Sequence, residues 1–189
     1  MRSANSGGPG RLKPDRQRPS RNLVALAAAV CLFLASIEHV IPKPLPFLRI
    51  GLANLPLLLA LEMFPVPHFF LLLGMKILGQ SLLQGSLFSF TFVLSLGGSA
   101  ASGLVMQGAH RLAGKSVSLV GISILGAAAS NLVQLSLAGL FAFGRSAWMI
   151  APPFLLVGLI SSSVLGYLAQ TYYDRSNWLR KIFPGHFAP

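Results

Sequence analysis

Polar and charged side chains interrupt runs of this sequence that are otherwise apolar. Lys76 and Gln80 are four residues apart, Asn131 and Gln134 are three residues apart, and Asn54 lies inside the apolar run 50–64. Side chains at these spacings share one face of a helix. An ammonium group at the centre of a bilayer costs about 2.5 to 3.5 kcal/mol on insertion scales, so it needs an anion, water or a ligand. Hydrogen bonding to a polar or anionic molecule is the chemistry that these residues can supply.

The composition indicates the environment of these residues. The 189-residue chain is 53% hydrophobic and only 10% charged, with a mean hydropathy of +0.68, which is typical of an integral membrane protein. The net charge is +11, but no basic helix with interleaved aromatic residues lies outside the apolar runs, so nucleic acid is not a predicted partner. Cys31 is the only cysteine, which excludes a disulfide framework and a cysteine-based metal site.

Six apolar segments approach the roughly 20 residues that a membrane-spanning helix needs. They cover about 22–41, 50–64, 67–85, 87–109, 117–142 and 148–171. We therefore predict an all-α integral membrane protein with six transmembrane helices in a membrane domain at 22–173. A disordered basic tail (1–21) precedes this domain, and a short cytoplasmic tail (174–189) follows it. The second segment is short, and Pro56 predicts an irregular or tilted helix there.

The positive charges predict the orientation. With six spans and the N-terminus inside, eleven Lys and Arg residues fall on the cytoplasmic side and three (Lys43, Arg49 and Arg145) on the outer side. This asymmetry follows the positive-inside rule. We predict a multi-pass protein of the cell (inner) membrane with both termini in the cytoplasm.

Most of the polar residues then lie at one depth. At 1.5 Å per residue, Glu38 comes near the outer end of its span, Asn54 lies about one turn below the outer surface, and Lys76 lies near the midplane. Gln80 and the amides of the fifth span also belong to the outer half. The clustering predicts an outward-facing polar cavity. The alternative is that each group ties two helices together by a hydrogen bond worth under about 1 kcal/mol net.

Two further charged residues flank the second segment. Arg49 marks its outer boundary, where the charge can reach water or an anionic ligand, and Glu62 marks its cytoplasmic end. The sequence leaves Glu38, Glu62 and a bound ligand open as the anionic partner of Lys76. The predicted substrate-binding residues are Glu38, Arg49, Asn54, Lys76, Gln80, Asn131 and Gln134.

Small residues recur at helical spacing in several spans. Examples are Ala25 and Ala29 in the first span, the run "GGSAASG" at 97–103, and Gly158, Ser162 and Gly166 in the sixth. Faces of this kind let helices approach closely in lipid, so packing inside the bundle is the main interpretation. For Ala25 and Ala29 the alternative is docking of a second membrane protein, if the first span lies at the bundle edge.

Three stretches carry a family resemblance. "RIGLANLPLLLAL" at 49–61, "GMKILGQSLLQGSLFSFTFVLSLGGSAAS" at 74–102 and "VSLVGISILGAAASNLVQL" at 117–135 resemble the Gx transporter family, which is labelled heptaprenyl diphosphate synthase component I. The resemblance extends from the first span to about residue 173. Two positions depart from the family pattern, since Lys76 stands where relatives usually carry Arg and Ser130 where they usually carry His.

The resemblance implies a six-helix fold similar to the S-components of energy-coupling factor transporters. Such proteins hold a small solute near the outer face and dock on a transmembrane coupling protein driven by two cytoplasmic ATPases. Ala25 and Ala29 match the small-residue docking pattern by position. The resemblance therefore implies a small-molecule solute, the lipid bilayer, a coupling protein and ATPases as partners.

These observations favour a membrane substrate-binding or transport component that captures a small solute from outside and works with a separate ATP-driven module. The alternatives are a noncatalytic membrane partner of a heptaprenyl diphosphate synthase, or a bundle that only scaffolds other proteins. The chain has no phosphate-binding loop for ATP. Its four acidic residues (Asp15, Glu38, Glu62 and Asp174) are too dispersed in sequence to hold Mg²⁺ on a diphosphate. We therefore predict no catalytic residue, no metal site and no cofactor.

Overall fold

The structure, a computed structural model, describes residues 21–40, 51–114, 117–177 and 179. Over these ranges the backbone is helical, with no strand. The six α-helices are α1 (Arg21–Val40), α2 (Leu55–Met63), α3 (Val66–Leu83), α4 (Phe90–Ala113), α5 (Leu119–Ala138) and α6 (Ala151–Arg175). A 3₁₀ turn (Leu52–Asn54) precedes α2, and a π-helical turn (Gly139–Phe143) with a 3₁₀ segment (Gly144–Ile150) joins α5 to α6. Residues 1–20 of the predicted basic tail, residues 41–50 with Arg49, and most of the predicted C-terminal tail lie outside the described residues.

Helix starts follow local sequence signals. Proline occupies the first or second position of α2, α3 and α6. A backbone N–H at these positions has no acceptor within the helix, so the N–H that proline lacks costs no hydrogen bond. Ser118 caps α5, because its hydroxyl oxygen accepts a hydrogen bond from the Gly121 N–H at 3.2 Å. Pro56 thus marks the beginning of α2, and the irregularity predicted for this segment is the 3₁₀ turn before it.

The second helix is much shorter than its neighbours. Five helices in the described ranges are long and apolar enough to cross a membrane, whereas Leu52–Met63 belongs to the shorter class. At about 1.5 to 2 Å per residue this segment is about 20 Å long, less than the roughly 30 Å of a hydrocarbon core. Protein surrounds it instead of lipid, since Leu57, Leu58 and Leu61 are at most 3% exposed. The chain is a multi-pass membrane protein whose second helix is enclosed by the others.

Antiparallel packing of α4, α5 and α6 fixes the arrangement of one half of the bundle. In the α5–α6 pair, Asn131 lies against Gly158, and the Leu119 N–H donates to Gln170 Oε1 at 3.0 Å. In the α4–α5 pair, Gly98 lies against Gln134. The later residues of one helix therefore face the earlier residues of the next.

The remaining connections also reverse the chain. Glu38, two residues before the end of α1, bonds the backbone at the start of the second helical segment. Only Phe64 and Pro65 separate α2 from α3, and six residues (84–89) separate α3 from α4. Because all six helices alternate in direction, the start of α1 and the end of α6 lie at the same end of the bundle.

Three predicted boundaries need correction. The fourth segment was expected to start at 87, but α4 begins at Phe90, because residues 84–89 form hydrogen-bonded turns such as Ser89 N–H to the Ser86 carbonyl at 3.0 Å. The fifth and sixth segments were expected to reach 142 and to start at 148. Instead, α5 ends at Ala138 and α6 begins at Ala151, with the π and 3₁₀ segments between them.

Glycines bring the helices into close contact. A Cβ added to Gly103 would lie 2.5 Å from a methyl of Leu73, and one added to Gly166 would lie 2.7 Å from the Val120 Cα. The small residues of α4 and α6 therefore serve packing inside the bundle, as the main interpretation of the sequence had it. Ala25 and Ala29 differ, because both are exposed on the side of α1 that faces away from the bundle.

Candidate functional site

A polar cavity of about 70 Å³ lies inside the bundle. Six of the seven predicted substrate-binding residues line it, namely Glu38, Asn54, Lys76, Gln80, Asn131 and Gln134. The seventh, Arg49, lies outside the described residues. At about 10–15 Å³ per water molecule, the volume holds a few waters or a compact polar group.

The amide and ammonium groups of the cavity lie in the half of the bundle that is remote from the described chain ends, whereas Ser123, four residues after the start of α5, extends the cavity wall into the other half. Lys76 is seven residues before the end of α3, Asn131 is seven before the end of α5, and Gly158 is seven after the start of α6. At 1.5 Å per residue, all three are about 10 Å from the same end. Neighbouring helices thus contribute polar groups at one level.

Glu38 holds the second helix in position. Its carboxylate accepts hydrogen bonds from the Gly51 N–H at 3.1 Å and from the Leu52 N–H at 2.9 Å, and its side chain is 2% exposed. Gly51 has φ = 86°, a left-handed conformation that glycine adopts without strain. The N-terminus of a helix favours an anion, because its first N–H groups have no acceptor within the helix. Glu38 therefore supports the wall of the cavity as well as lining it.

Replacing Glu38 of α1 should destabilise the fold more than replacing Glu62 of α2. We expect Glu38→Ala to lower the free energy of unfolding by about 2–3 kcal/mol, because two backbone donors lose a charged acceptor. Denaturant unfolding in detergent micelles, followed by circular dichroism, measures this. Glu62→Ala is the matched control, since Glu62 is 25% exposed and its change should cost less than about 1 kcal/mol. Equal losses in the two variants would contradict the role of Glu38.

Asn54 and Lys76 join the second helix to α3. Lys76 Nζ donates a hydrogen bond to Asn54 Oδ1, and the Lys76 side chain is 5% exposed. Gln80, one turn further along α3, is equally buried and lines the same cavity. In the sequence "GLAN", Gly51 and Leu52 thus bond Glu38, Ala53 lines the cavity and Asn54 bonds the lysine.

The amides of α5 fit against glycines of the neighbouring helices. Gln134 Nε2 donates to Ser130 Oγ at 2.8 Å, and a Cβ added to Gly98 would lie 2.5 Å from that same Nε2. A Cβ added to Gly158 would collide with the Asn131 amide and lie 3.1 Å from its Cγ. Glycine at these two positions leaves the space that the amides occupy.

Sequence reasoning missed a set of serines in the cavity wall. Ser99, Ser102, Ser123, Ser130 and Ser162 all line the cavity. Ser123 Oγ donates to the Ser162 carbonyl at 2.8 Å, so part of this set also joins α5 to α6. Ser99, Ser102 and Ser162 belong to the small-residue stretches that were interpreted as packing faces, and no signal in the sequence separates them from ordinary packing residues.

A family model described as heptaprenyl diphosphate synthase component I matches residues 27–172. The chain belongs to this family. No curated protein and no solved structure matches the chain. The family match begins in α1, ends in α6 and includes every residue of the cavity named above. The likeness to S-components of energy-coupling factor transporters stays a prediction.

The family description, component I of a synthase, supports the prediction that this member is not itself an enzyme. Among the described residues, no group of three or more His, Cys, Asp or Glu side chains could hold a metal ion. Glu62 lies at the other end of the bundle, where its Oε1 is 3.4 Å from His110 Nδ1. Lys76 bonds Asn54, which lies about 12 Å along the second helix from Glu62, so Glu62 is not a partner of the lysine.

Proposed function

We propose that this chain is a noncatalytic membrane component of a prenyl diphosphate synthase and binds the polar group of a small ligand in its cavity. The observation that carries the proposal is the convergence of Lys76, Gln80, Asn54 and the amides of α5 on one cavity inside an apolar bundle. The family description supplies the kind of partner. Catalysis belongs to that partner.

A ligand explains the cavity better than helix–helix hydrogen bonding alone. Protein interiors are close-packed, and a polar network that serves only structure pairs its groups without leaving a void. Here a void of about 70 Å³ is lined by hydroxyl, amide and ammonium groups. Polar groups that converge on an open space inside an apolar protein are typical of a binding site.

The lining favours an oxygen-rich anion. Lys76 supplies a positive charge, and the hydroxyls of Ser99 and Ser102 and the NH₂ groups of the amides supply hydrogen-bond donors. Ser123 and Ser162 line the cavity as acceptors, because both donate their hydroxyl protons to backbone carbonyls. Hydrogen bonds from a charged donor to an anionic oxygen are about twice as strong as neutral ones. The carboxylate of Glu38 stays negatively charged while it accepts hydrogen bonds from the backbone of Gly51 and Leu52, so an anionic ligand has to be held by Lys76 and by the hydroxyl and amide donors.

An assay of the partner synthase tests the proposal. The full chain in nanodiscs is mixed with the catalytic subunit of a heptaprenyl diphosphate synthase, and membrane association and formation of long-chain prenyl diphosphate are measured. We expect both to increase when the chain is present. The increase in product should be lost with Lys76→Met and kept with Gly108→Ala, a helical position where an added Cβ meets nothing within 4 Å. Equal association and synthesis with and without the chain would refute the partnership.

Capture of a solute for transport is the second candidate. It is favoured by the depth of the amide and ammonium groups of the cavity, which lie away from the described chain ends and therefore in the outer half under the predicted orientation. This function requires a coupling protein with ATPases, and the exposed Ala25–Ala29 face of α1 suits docking of such a protein. ATP-dependent accumulation of a labelled solute that requires both this chain and an ATPase partner would favour transport. Its absence, together with stimulation of the synthase, would favour the first proposal.

A further inference from the structure

A second cavity of about 210 Å³ adjoins the polar one and differs from it in character. Its walls are mainly apolar and come from the start of α4 (Leu94), the end of α5 (Leu135), the π-helical turn (Phe143) and the 3₁₀ segment (Ile150). π-helical turns within longer helices are rare and frequently occur at functional sites. This one forms part of the wall of an apolar space.

The two cavities share a boundary. Gln134 and Phe154 line both of them. The Gln134 amide donates to Ser130, a residue of the polar cavity, while the neighbouring Leu135 lines only the apolar cavity. A molecule that extends past Gln134 therefore passes from hydrogen-bonding groups to hydrocarbon.

The volumes restrict what the site accepts. The polar cavity, at about 70 Å³, holds a compact group but is small for a whole polar solute. The apolar cavity is three times larger, and an apolar cavity of about 150 Å³ is large enough to bind benzene in another protein. The site as a whole thus has little room for polar groups and more for hydrocarbon.

We propose that the two cavities bind one amphipathic molecule, with an anionic, oxygen-rich head at Lys76 and an apolar tail between α4, α5 and α6. This inference rests on the proposed function, because it gives the ligand class of the same site. Gln134 and Phe154 lie where the head joins the tail. A purely polar solute would leave the apolar cavity empty, and a purely apolar one would leave Lys76 without its ligand.

Binding of matched probes to the full chain in nanodiscs tests the inference. The probes are farnesyl diphosphate, inorganic diphosphate and farnesol, and empty nanodiscs correct for partitioning into lipid. We expect farnesyl diphosphate to bind at least about tenfold more tightly than either single-feature probe. Lys76→Met should weaken both diphosphates. Ala147→Phe, which fills the apolar cavity from a residue only 2% exposed, should weaken farnesyl diphosphate alone.

Two further variants distinguish filling of the apolar cavity from a loss of folding. Ala138→Leu fills the same cavity from α5 with a smaller side chain and should also lower the preference for farnesyl diphosphate. Ala142→Phe adds the same ring as Ala147→Phe at an exposed position and should leave the preference unchanged. If both diphosphates depend on Lys76 but neither cavity-filling variant changes their affinity ratio, the tail lies elsewhere and this inference fails while the proposed function stands. If neither diphosphate depends on Lys76, the proposed function fails as well.

Discussion

Lys76→Met should bind inorganic diphosphate about 10- to 100-fold more weakly than the unaltered chain. Methionine is close to lysine in length but carries no charge, so the substitution removes the ammonium group while keeping the bulk of the side chain in the cavity wall. A hydrogen bond to a charged group contributes about 1.5–3 kcal/mol, and each 1.4 kcal/mol corresponds to tenfold in affinity. Equilibrium dialysis of labelled diphosphate against the protein in nanodiscs measures the change.

Two comparisons separate this effect from a loss of structure. Lys76→Arg keeps the charge on a longer side chain with more donors and should retain binding within about tenfold of the unaltered chain. The free energy of unfolding of Lys76→Met should change by less than about 2 kcal/mol, since the variant loses one bond to Asn54 but also removes a buried charge. Unchanged binding in a folded Lys76→Met would show that the lysine serves structure alone.

Gly158→Ala should weaken the binding of inorganic diphosphate strongly, although it adds only one methyl group. The added Cβ would collide with the amide of Asn131, so this side chain has to leave its position in the cavity wall. We expect a loss of binding of about tenfold or more and a decrease of about 1–3 kcal/mol in the free energy of unfolding, the usual cost of overpacking. Dialysis and denaturant unfolding of the same preparation measure both quantities.

Other glycine and double variants provide the controls. Gly74→Ala and Gly108→Ala introduce the same methyl group at helical positions where an added Cβ meets no atom within 4 Å. Both variants should leave the free energy of unfolding unchanged or raise it slightly. The double variant Gly158→Ala/Asn131→Ala has room for the new Cβ and should regain stability without regaining binding. If the double variant binds as well as the unaltered chain, Asn131 has no part in the site.

The sequence predicted the kind of fold and much of the list of cavity residues because both depend on local periodicity. Long apolar segments specify membrane helices through their length and hydropathy. The spacing of Lys76 and Gln80 puts them on one face whatever the neighbouring helices do. The depth of each residue follows from counting along its own helix. These quantities need no knowledge of how the helices pack.

The tertiary structure decided which side chains meet. Asn54 contacts Lys76, and Glu62 contacts His110 at the other end of the bundle, whereas the sequence left Glu62 open as a partner of the lysine. Glu38 bonds Gly51, 13 residues further along the chain, a contact that helical periodicity does not predict. Such contacts depend on the rotation and the axial shift of one helix against another.

Those rotations and shifts also formed the apolar cavity and brought the serines to the polar one. Small residues set the separation of the helices, and Gly98 and Gly158 do so by leaving space for amides on α5. The effect of a glycine depends on the atom opposite it, which lies far away in sequence. The sequence by itself therefore determined a polar level within a helical membrane protein, and close packing between distant segments decided the shape of the site.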